Sequence, residues 1–538
     1  AKTQPVDIWN EYQIISEYLK RKQVFENVKL NEKFYEGNQW EGLENTSMPT
    51  PVFNILQRTG KFMVATLGSN DVAVSLTPFT NVAEELERIT PVQKEIENII
   101  ELARIKEKSK EIIRNAFVDG AGYLMLSFDP DFETNQPIKG RLKAEVVDNT
   151  NVYFGNPYSR DIQSQPYIIV SFRQYVDQVK QEAKDNGVPQ DQIDLIVDDN
   201  EPDLANMDDS QNLVTVLIKF YKDYKDEEYI EQGVDGYGMP IEIKKKKRIK
   251  TVYMTKCTSA VTIIKPVDLE YKRYPISCFG WEIKKNSYCY DSPMTSVIPN
   301  QIFVNKVFAI AQMFALQSGM PKVVYDKSKV DIEDFLNSSA SAVAGIDILG
   351  KYLDFIKVPD FSDKVIDLAL QTISQTKECM GVTDAALGNV KADNTSAIIA
   401  LQESSAVPLE IQRQLFYEFW EDTVRNILDI VSVTYGIREV MTEENGIATI
   451  DFSMLRDLNY NLKVEIGNGA QYSEIAQINT LDKLVQAGYI DPDVYMQIIP
   501  SKYLPSKAKL IKSYKEIIAR QGQPIARGST PLDQNAPL

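Results

Sequence analysis

Between Tyr274 and Gly436 the chain sets out three long helices in a fixed order, and no other stretch restricts the fold as much. The first opens at Asp291-Ser292-Pro293, an N-cap followed by proline in the first turn, where a missing N–H costs nothing. Val297, Ile298, Ile302, Val304, Phe308, Ala311 and Ala315 supply its apolar face, and Gly319 and Pro321 stop it. At roughly 27 residues it spans about 40 Å. Pro299 either kinks its first turns or marks its true start. Residues 320–359 read as a compact α/β insert, with strand-like Lys322-Val323-Val324-Tyr325, a short helix near Ile332–Leu336 and strands near Ile346–Leu349 and Leu353–Val358. The second helix runs from Ser362 to Met380, with Val365, Ile366, Leu368, Ala369, Leu370 and Ile373 as its apolar side chains. A polar loop, 381–394, leads to a third helix from Thr395-Ser396 to Tyr435, about 60 Å long. Pro408 lies inside it and predicts a kink there.

The remainder is mixed. With 538 residues the chain exceeds one hydrophobic core, and the usual domain size suggests three or four. Helical spacing covers Ile8–Val28, Phe53–Leu67 and a long charged stretch from Val82 to Val118, ended by Asp119-Gly120. The period then changes. Tyr123–Phe128 and Lys143–Val147 are strand-like, and Asp129-Pro130-Asp131-Phe132-Glu133 between them reads as a hairpin turn rather than a calcium loop, since Thr134 stands where glycine is required. Residues 185–209 carry nine carboxylates and no Lys or Arg, and are read as a solvated exterior loop in preference to a metal or basic-partner site. A strand meander follows at Leu213–Tyr221, Ile241–Met254 and Val261–Ile264. It contains Lys244-Lys245-Lys246-Lys247-Arg248, which alternates across a strand and suits an exposed edge better than a nucleic-acid surface. After Gly436 come strand-like Ile447–Ile450 and Leu462–Ile466, helices near 473–487, 492–499 and 505–521, and a Gly/Pro/Gln/Ser-rich tail expected to be disordered.

The chemistry is narrowed by what is missing. The chain contains no histidine, so imidazole acid–base catalysis, Ser-His and Cys-His nucleophiles and His-bearing zinc sites are excluded. Cys257, Cys278, Cys289 and Cys379 form no C-x-x-C pair and are expected as scattered buried thiols. Thr59-Gly60-Lys61-Phe62 fails as a phosphate loop because Phe62 replaces the magnesium-binding hydroxyl and Ile55 the first glycine. Gly467-Asn468-Gly469 fails as a dinucleotide fingerprint because Tyr472 replaces the third glycine. No cofactor, no metal and no enzyme activity is expected. A net charge of −17 argues against binding nucleic acid chiefly by neutralising phosphates. The polar N-terminus and the short apolar run Val307–Met320 point to a soluble intracellular protein with no membrane association.

Phe34-Tyr35-Glu36-Gly37-Asn38-Gln39-Trp40 followed by Pro51-Val52-Phe53-Asn54-Ile55-Leu56 is similar to the opening of portal proteins of tailed double-stranded DNA bacteriophages, of the P22-like type. Tyr274–Trp281, Pro299-Asn300-Gln301 with Asn305, Gly381-Val382-Thr383-Asp384-Ala385-Ala386-Leu387-Gly388 and Asn394-Thr395-Ser396-Ala397-Ile398 continue the resemblance in order. It implies an α+β, multi-domain portal fold with wing, stem, clip and crown, assembled as a ring, typically a dodecamer, at one capsid vertex. It also implies virion location after assembly in the host cytoplasm. The implied partners are the terminase large subunit, head-completion or tail-adaptor proteins, capsid and scaffolding proteins, and double-stranded DNA passing through the channel during packaging and ejection.

Mapped by order, the wing comprises 1–290, the kinked channel helix 395–435, and 436–470. The stem helices are 291–319 and 360–380, the clip 320–359, the tunnel loop 381–394, and the crown with its tail 471–538. The resemblance departs at the end, where the residues after Gly469 are too few for the long helical barrel of some portals. The expected channel residues are Asn389, Val390, Lys391, Asp393 and Asn394, aimed inward by the kink at Pro408. Crown DNA contacts are expected at Lys507, Lys509, Lys512 and Lys515, where basic residues oppose the acidic whole. An acidic helical scaffold without a nucleic-acid role, or a metal-dependent nuclease, are the alternatives that composition leaves open.

Overall fold

A computed structural model describes residues 3–41, 48–68, 72–78, 83–134, 136–199, 212–234, 240–319, 323–326, 342–345, 353–355, 362–382, 409–442, 446–456 and 460–466, together with residues 481, 483, 485, 495 and 513. The chain divides into a large unit, Ala1–Ile466, and a small one, Gly467–Leu538. The three helices expected near 473–521 lie outside the described residues apart from those isolated positions. The large unit holds every continuous described segment.

Its N-terminal part is helical: α1 (Pro5–Arg21), α2 (Val24–Glu36), α3 (Ile55–Gly68), α4 (Ala83–Leu102) and α5 (Ile105–Asp119). Two of these boundaries correct the sequence expectation. Ile8–Val28 is not one helix, because Gln23 takes a left-handed backbone (φ 57°) between α1 and α2. Arg104 (φ 52°) likewise splits the stretch 82–118 into α4 and α5. Periodicity hides such one-residue breaks when both pieces bury their apolar side chains in the same core, as Ile15, Leu19 and Phe25 do here. Gly60, which belongs to no phosphate loop, has a packing role. A Cβ there would meet Phe117 at 2.7 Å and Tyr35 at 2.9 Å, so glycine lets α3 lie against its neighbours. Gly120 (φ 96°) ends α5 and reverses the chain.

The reversal feeds β2 (Ala121–Asp129), the middle strand of a three-stranded antiparallel sheet with β3 (Arg141–Asp148) and β9 (Ile276–Gly280). Ala121–Leu126 is buried throughout, as a strand covered on both faces requires. The third long helix, described from Glu410 to Thr434, lies against this sheet and inserts Phe416, Phe419 and Trp420 beside Phe279. Ser277 and Thr423 hydroxyls share a 2.8 Å hydrogen bond under the same contact. Arg273 donates to Asn426 and Asp422, so the strand and helix are fixed in register.

A five-stranded antiparallel sheet runs β4 (Val152–Phe154), β5 (Tyr167–Tyr175), β6 (Leu213–Val234), β7 (Pro240–Cys257) and β8 (Thr262–Asp268). The meander is as expected, but β6 continues well past Tyr221, to Val234, and pairs with β7 along its length to form a two-stranded arm. β8 pairs with β7 only between Tyr253 and Cys257, so 244–248 is an open edge. Opposite the basic run stand acids: Asp226 faces Arg248, Glu227 faces Lys247 and Glu228 faces Lys246. Cross-strand charge complementarity of this kind supports an arm that has few apolar residues of its own.

The acidic stretch is only partly exterior. Its helix Gln190–Ile193 and residues Ile193 and Ile196 close a second small core with Val179, Val214 and Ile263. Asp199 pairs with Arg173 and accepts the Thr215 N–H. An unforeseen strand, β1 (Val72–Pro78), pairs antiparallel with β17 (Tyr460–Ile466). Cys257 and Cys289 are buried and Cys278 is partly so, whereas Cys379 is exposed, against expectation. Burial pushes the Cys257 and Cys278 thiols up to about 12. Among the described residues no helix is long and apolar enough to cross a membrane.

Candidate functional site

The first long helix runs from Pro293 to Gly319 and the second from Asp363 to Cys379, with Ser362 and Met380 as its flanking residues. Pro299 lies inside the first helix and does not mark its start. The near ends of both helices are embedded in the body. Met294, Val297 and Ile298 at the start of the first, and Met380 and Val382 just beyond the second, all belong to the main core. Asn300, near the beginning of one helix, donates to Thr376 Oγ1 near the end of the other at 3.1 Å. The start of one helix thus meets the end of the other, and the pair is antiparallel. In the insert between them, β12 (Val323–Asp326) pairs parallel with β13 (Ala342–Gly345) and antiparallel with β14 (Leu353–Phe355). The other strand and helix expected there lie outside the described residues.

What fastens the first helix is a buried cluster of uncharged amides. Gln301, fully buried, donates to the Phe53 carbonyl (2.7 Å) and to Asn305 Oδ1 (3.0 Å), and accepts the Ile55 N–H (3.1 Å). Asn305 donates to Gln39 Oε1, and Gln39 donates to the Phe34 carbonyl at 2.8 Å. Asn54 donates to the Tyr35 carbonyl at 2.8 Å and accepts the Gln57 N–H, capping α3. Amides suit this place because each supplies donor and acceptor without the desolvation cost of a charge. A second tie runs from Asn31, which donates to the Val118 carbonyl (2.8 Å) and Thr295 Oγ1 (3.0 Å). Ser292 completes it, donating to the Phe117 carbonyl and accepting the Met294 N–H. Three separated stretches singled out in the sequence, 34–40, 51–56 and 299–305, thus meet at one junction. Sequence reasoning picks out Gln301 and Asn305 but assigns them no role. Their signal is two amides four residues apart, on the same side of the helix as apolar Ile298 and Val304.

Beyond the junction the pair changes character. Phe303, Ile310 and Leu316 on the first helix are 37%, 45% and 60% exposed. Val365, Leu368 and Leu370 on the second are 37%, 51% and 52% exposed. Ala315, expected on the buried face, is exposed too. Large apolar side chains grouped on a helix are ordinarily covered, and among the described residues nothing covers these.

Titration of the body is dominated by burial. Asp119, at the end of α5, is pushed up to about 8 by desolvation and by the Glu32 and Asp148 carboxylates, against the opposing pull of Arg114. Its Oδ1 and that of Asn149 are enclosed and without partners among the described residues. Glu95 and Asp429 are also raised by burial. Among the described residues no group of three or more Cys, Asp or Glu is placed to hold a metal ion.

The residues expected to line a channel, Asn389, Val390, Lys391, Asp393 and Asn394, lie outside the described residues, as do Pro408 and the crown lysines Lys507, Lys509, Lys512 and Lys515. The structure brings to the threshold of that loop only its first residues, Gly381 and Val382, with Val382 fully buried. No curated protein matches the chain. The family model of phage P22-like portal proteins matches it from residue 16 to residue 509, taking in the junction, both helices and the insert. The chain belongs to the phage P22-like portal proteins, a family of structural proteins of the capsid vertex.

Proposed function

We propose that this protein assembles as a ring, typically a dodecamer, whose axis is the channel through which a terminase packages double-stranded DNA and from which that DNA leaves. The two antiparallel helices are the stem, residues 320–359 the clip, 381–394 the tunnel loop, and 471–538 the crown and tail. The remaining segments, 1–290, 395–435 and 436–470, make the wing. The observation that carries this reading is the antiparallel pair rooted in the core, whose outer length bears six large apolar side chains that no described residue covers. Neighbouring copies in a ring would cover it. Each large aliphatic side chain carries about 1.5–3 kcal/mol when fully buried, so the six half-exposed ones are a substantial drive to association.

The electrostatics support the same reading. A wall with net negative charge repels phosphate, so DNA moves past it without adhering. The sequence of the tunnel loop has one cation, Lys391, against Asp384 and Asp393, which offers each subunit at most one weak, salt-screened contact. Such a wall acts as a conduit, and the work of translocation comes from the terminase. The clip, at the far tip of the stem, is the docking surface for the terminase and later for head-completion proteins. Replacing 320–359 by a short Gly/Ser linker should leave rings intact and abolish terminase binding. Normal packaging by that variant would refute the assignment.

A further inference from the structure

The arm formed by β6 and β7 has a second property that charge complementarity along its strands does not explain. Lys225 faces Ile249, Glu227 faces Lys247 and Asp223 faces Thr251, so these side chains share one face of the arm. Over that face lie Glu270 and Lys272, from the segment after β8, and Arg456, from the short turn Phe452–Arg456. Together they enclose a cavity of about 630 Å³. Its lining holds four cations, Lys225, Lys247, Lys272 and Arg456, against two carboxylates, Glu227 and Glu270. The balance is positive in a chain whose net charge is −17.

The cations are not equivalent. Glu270, held in a left-handed backbone (φ 59°), takes Lys225 at 2.9 Å and Arg456 at 2.8 Å, and Asp268 also pairs with Lys225 at 3.0 Å. Lys272 Nζ donates to the Arg456 carbonyl at 3.1 Å. Lys225 and Arg456 are thereby fixed as part of the frame. Neither Lys272 nor Lys247 has an ion pair among the described residues. Thr251, 6% exposed, is part of the same lining, and its Oγ1 is buried with no hydrogen-bond partner among the described residues. An enclosed hydroxyl without a partner is a cost to folding, and it becomes favourable when a ligand accepts its proton.

We infer that this cavity binds a phosphate oxyanion, with Lys247 and Lys272 as its charge partners and the Thr251 hydroxyl as its buried donor. An anion with several acceptor oxygens matches one hydroxyl and two ammonium groups, Thr251 and Lys247 from β7 and Lys272 from the segment after β8. The volume lies in the range of small-ligand sites and exceeds a bare phosphate, so the phosphate belongs either to a nucleotide-sized compound or to a DNA backbone. The site is separate from the proposed tunnel loop and stands or falls independently of the channel.

The test is calorimetric titration of the full-length protein with pyrophosphate, repeated with Thr251→Val and Lys247→Glu. Thr251→Val keeps the shape and removes only the donor. Without anion its melting temperature should equal or exceed the parent's, whereas its Kd for pyrophosphate should rise about tenfold. Lys247→Glu should weaken binding by at least as much, and raised salt should weaken it in the parent. A short duplex DNA that competes with pyrophosphate identifies the phosphodiester as the source, and failure to compete identifies a small phosphate compound. Absence of saturable pyrophosphate binding overturns the proposal. So does a loss confined to Lys247→Glu with Thr251→Val unchanged, which would mark diffuse attraction to the arm.

Discussion

Gln301→Leu should loosen the stem from the body, and the size of the effect follows from the junction's geometry. Leucine keeps most of the volume and all of the burial, so no large cavity forms. It takes a donor from two buried acceptors, the Phe53 carbonyl and Asn305 Oδ1, which now receive the Gln301 amide at 2.7 and 3.0 Å. A stranded buried acceptor costs about 1–3 kcal/mol. Asn305 Oδ1 keeps a long bond from the Phe53 N–H (3.4 Å), and the Ile55 N–H keeps the Phe53 carbonyl at 2.8 Å, so the lower part of that range applies. The expected loss is about 2–4 kcal/mol. Because a chain of several domains need not unfold in two states, the assay should be local. Amide hydrogen exchange in 48–60, read by mass spectrometry, should accelerate about 30- to 1000-fold relative to the parent. Asn305→Leu should have a similar effect, and the double variant less than the sum, since the two residues share a hydrogen bond. Unchanged exchange in Gln301→Leu would refute the claim that these amides hold the stem.

Leu368→Glu places a charge on a side chain 51% exposed in the single chain, so monomer stability should shift by no more than about 0.5 kcal/mol. Ring assembly, followed by size-exclusion chromatography with light scattering, should fail; rings of normal size would mean that this flank stays in water. Asp119 is raised from 3.8 to about 8, so the folded state holds a proton that the unfolded chain has released between those values. Its contribution to stability therefore falls as pH rises from about 4 to 8. Asp119→Asn should flatten that part of the denaturation-midpoint profile, leaving a residual slope from Glu95 and Asp429, and an unchanged slope would show that Asp119 is not the source. A cysteine at Asn389 should crosslink to DNA in filled capsids, whereas one at exposed Asp198 should not. Asp199 is unsuitable as the control because Arg173 engages it. Equal crosslinking at both positions, or none at 389, would remove the tunnel assignment.

The sequence made legible those elements whose ends carry local chemistry. Pro293, Ser362 and Gly436 mark helix limits through capping and proline, and the observed helices begin or stop beside them. The loss of buried periodicity in the outer stem could not be read locally. The first helix carries apolar residues on more than one side, and only tertiary structure reveals which of them the body covers. β1 escaped because its partner, β17, lies at the other end of the unit, and a short strand is specified by what it pairs with. The outer part of β6, beyond Tyr221, escaped because Lys225–Glu228 is too charged to signal a strand until the opposing basic run of β7 supplies its cross-strand partners. Gln301, Asn305, Gln39 and Asn54 were visible as residues but not as a cluster, since a hydrogen-bonded junction between segments hundreds of residues apart leaves no spacing rule behind.

The central claim is that many copies of this chain close into a channel around the apolar flanks of the stem. Class-averaged negative-stain electron micrographs of the purified full-length protein test it most directly. The account predicts closed rings with an open axial hole and a narrow protruding stem, with a dodecamer as the expected count. A protein that remains monomeric at high concentration, or that forms open filaments without closing, would contradict it.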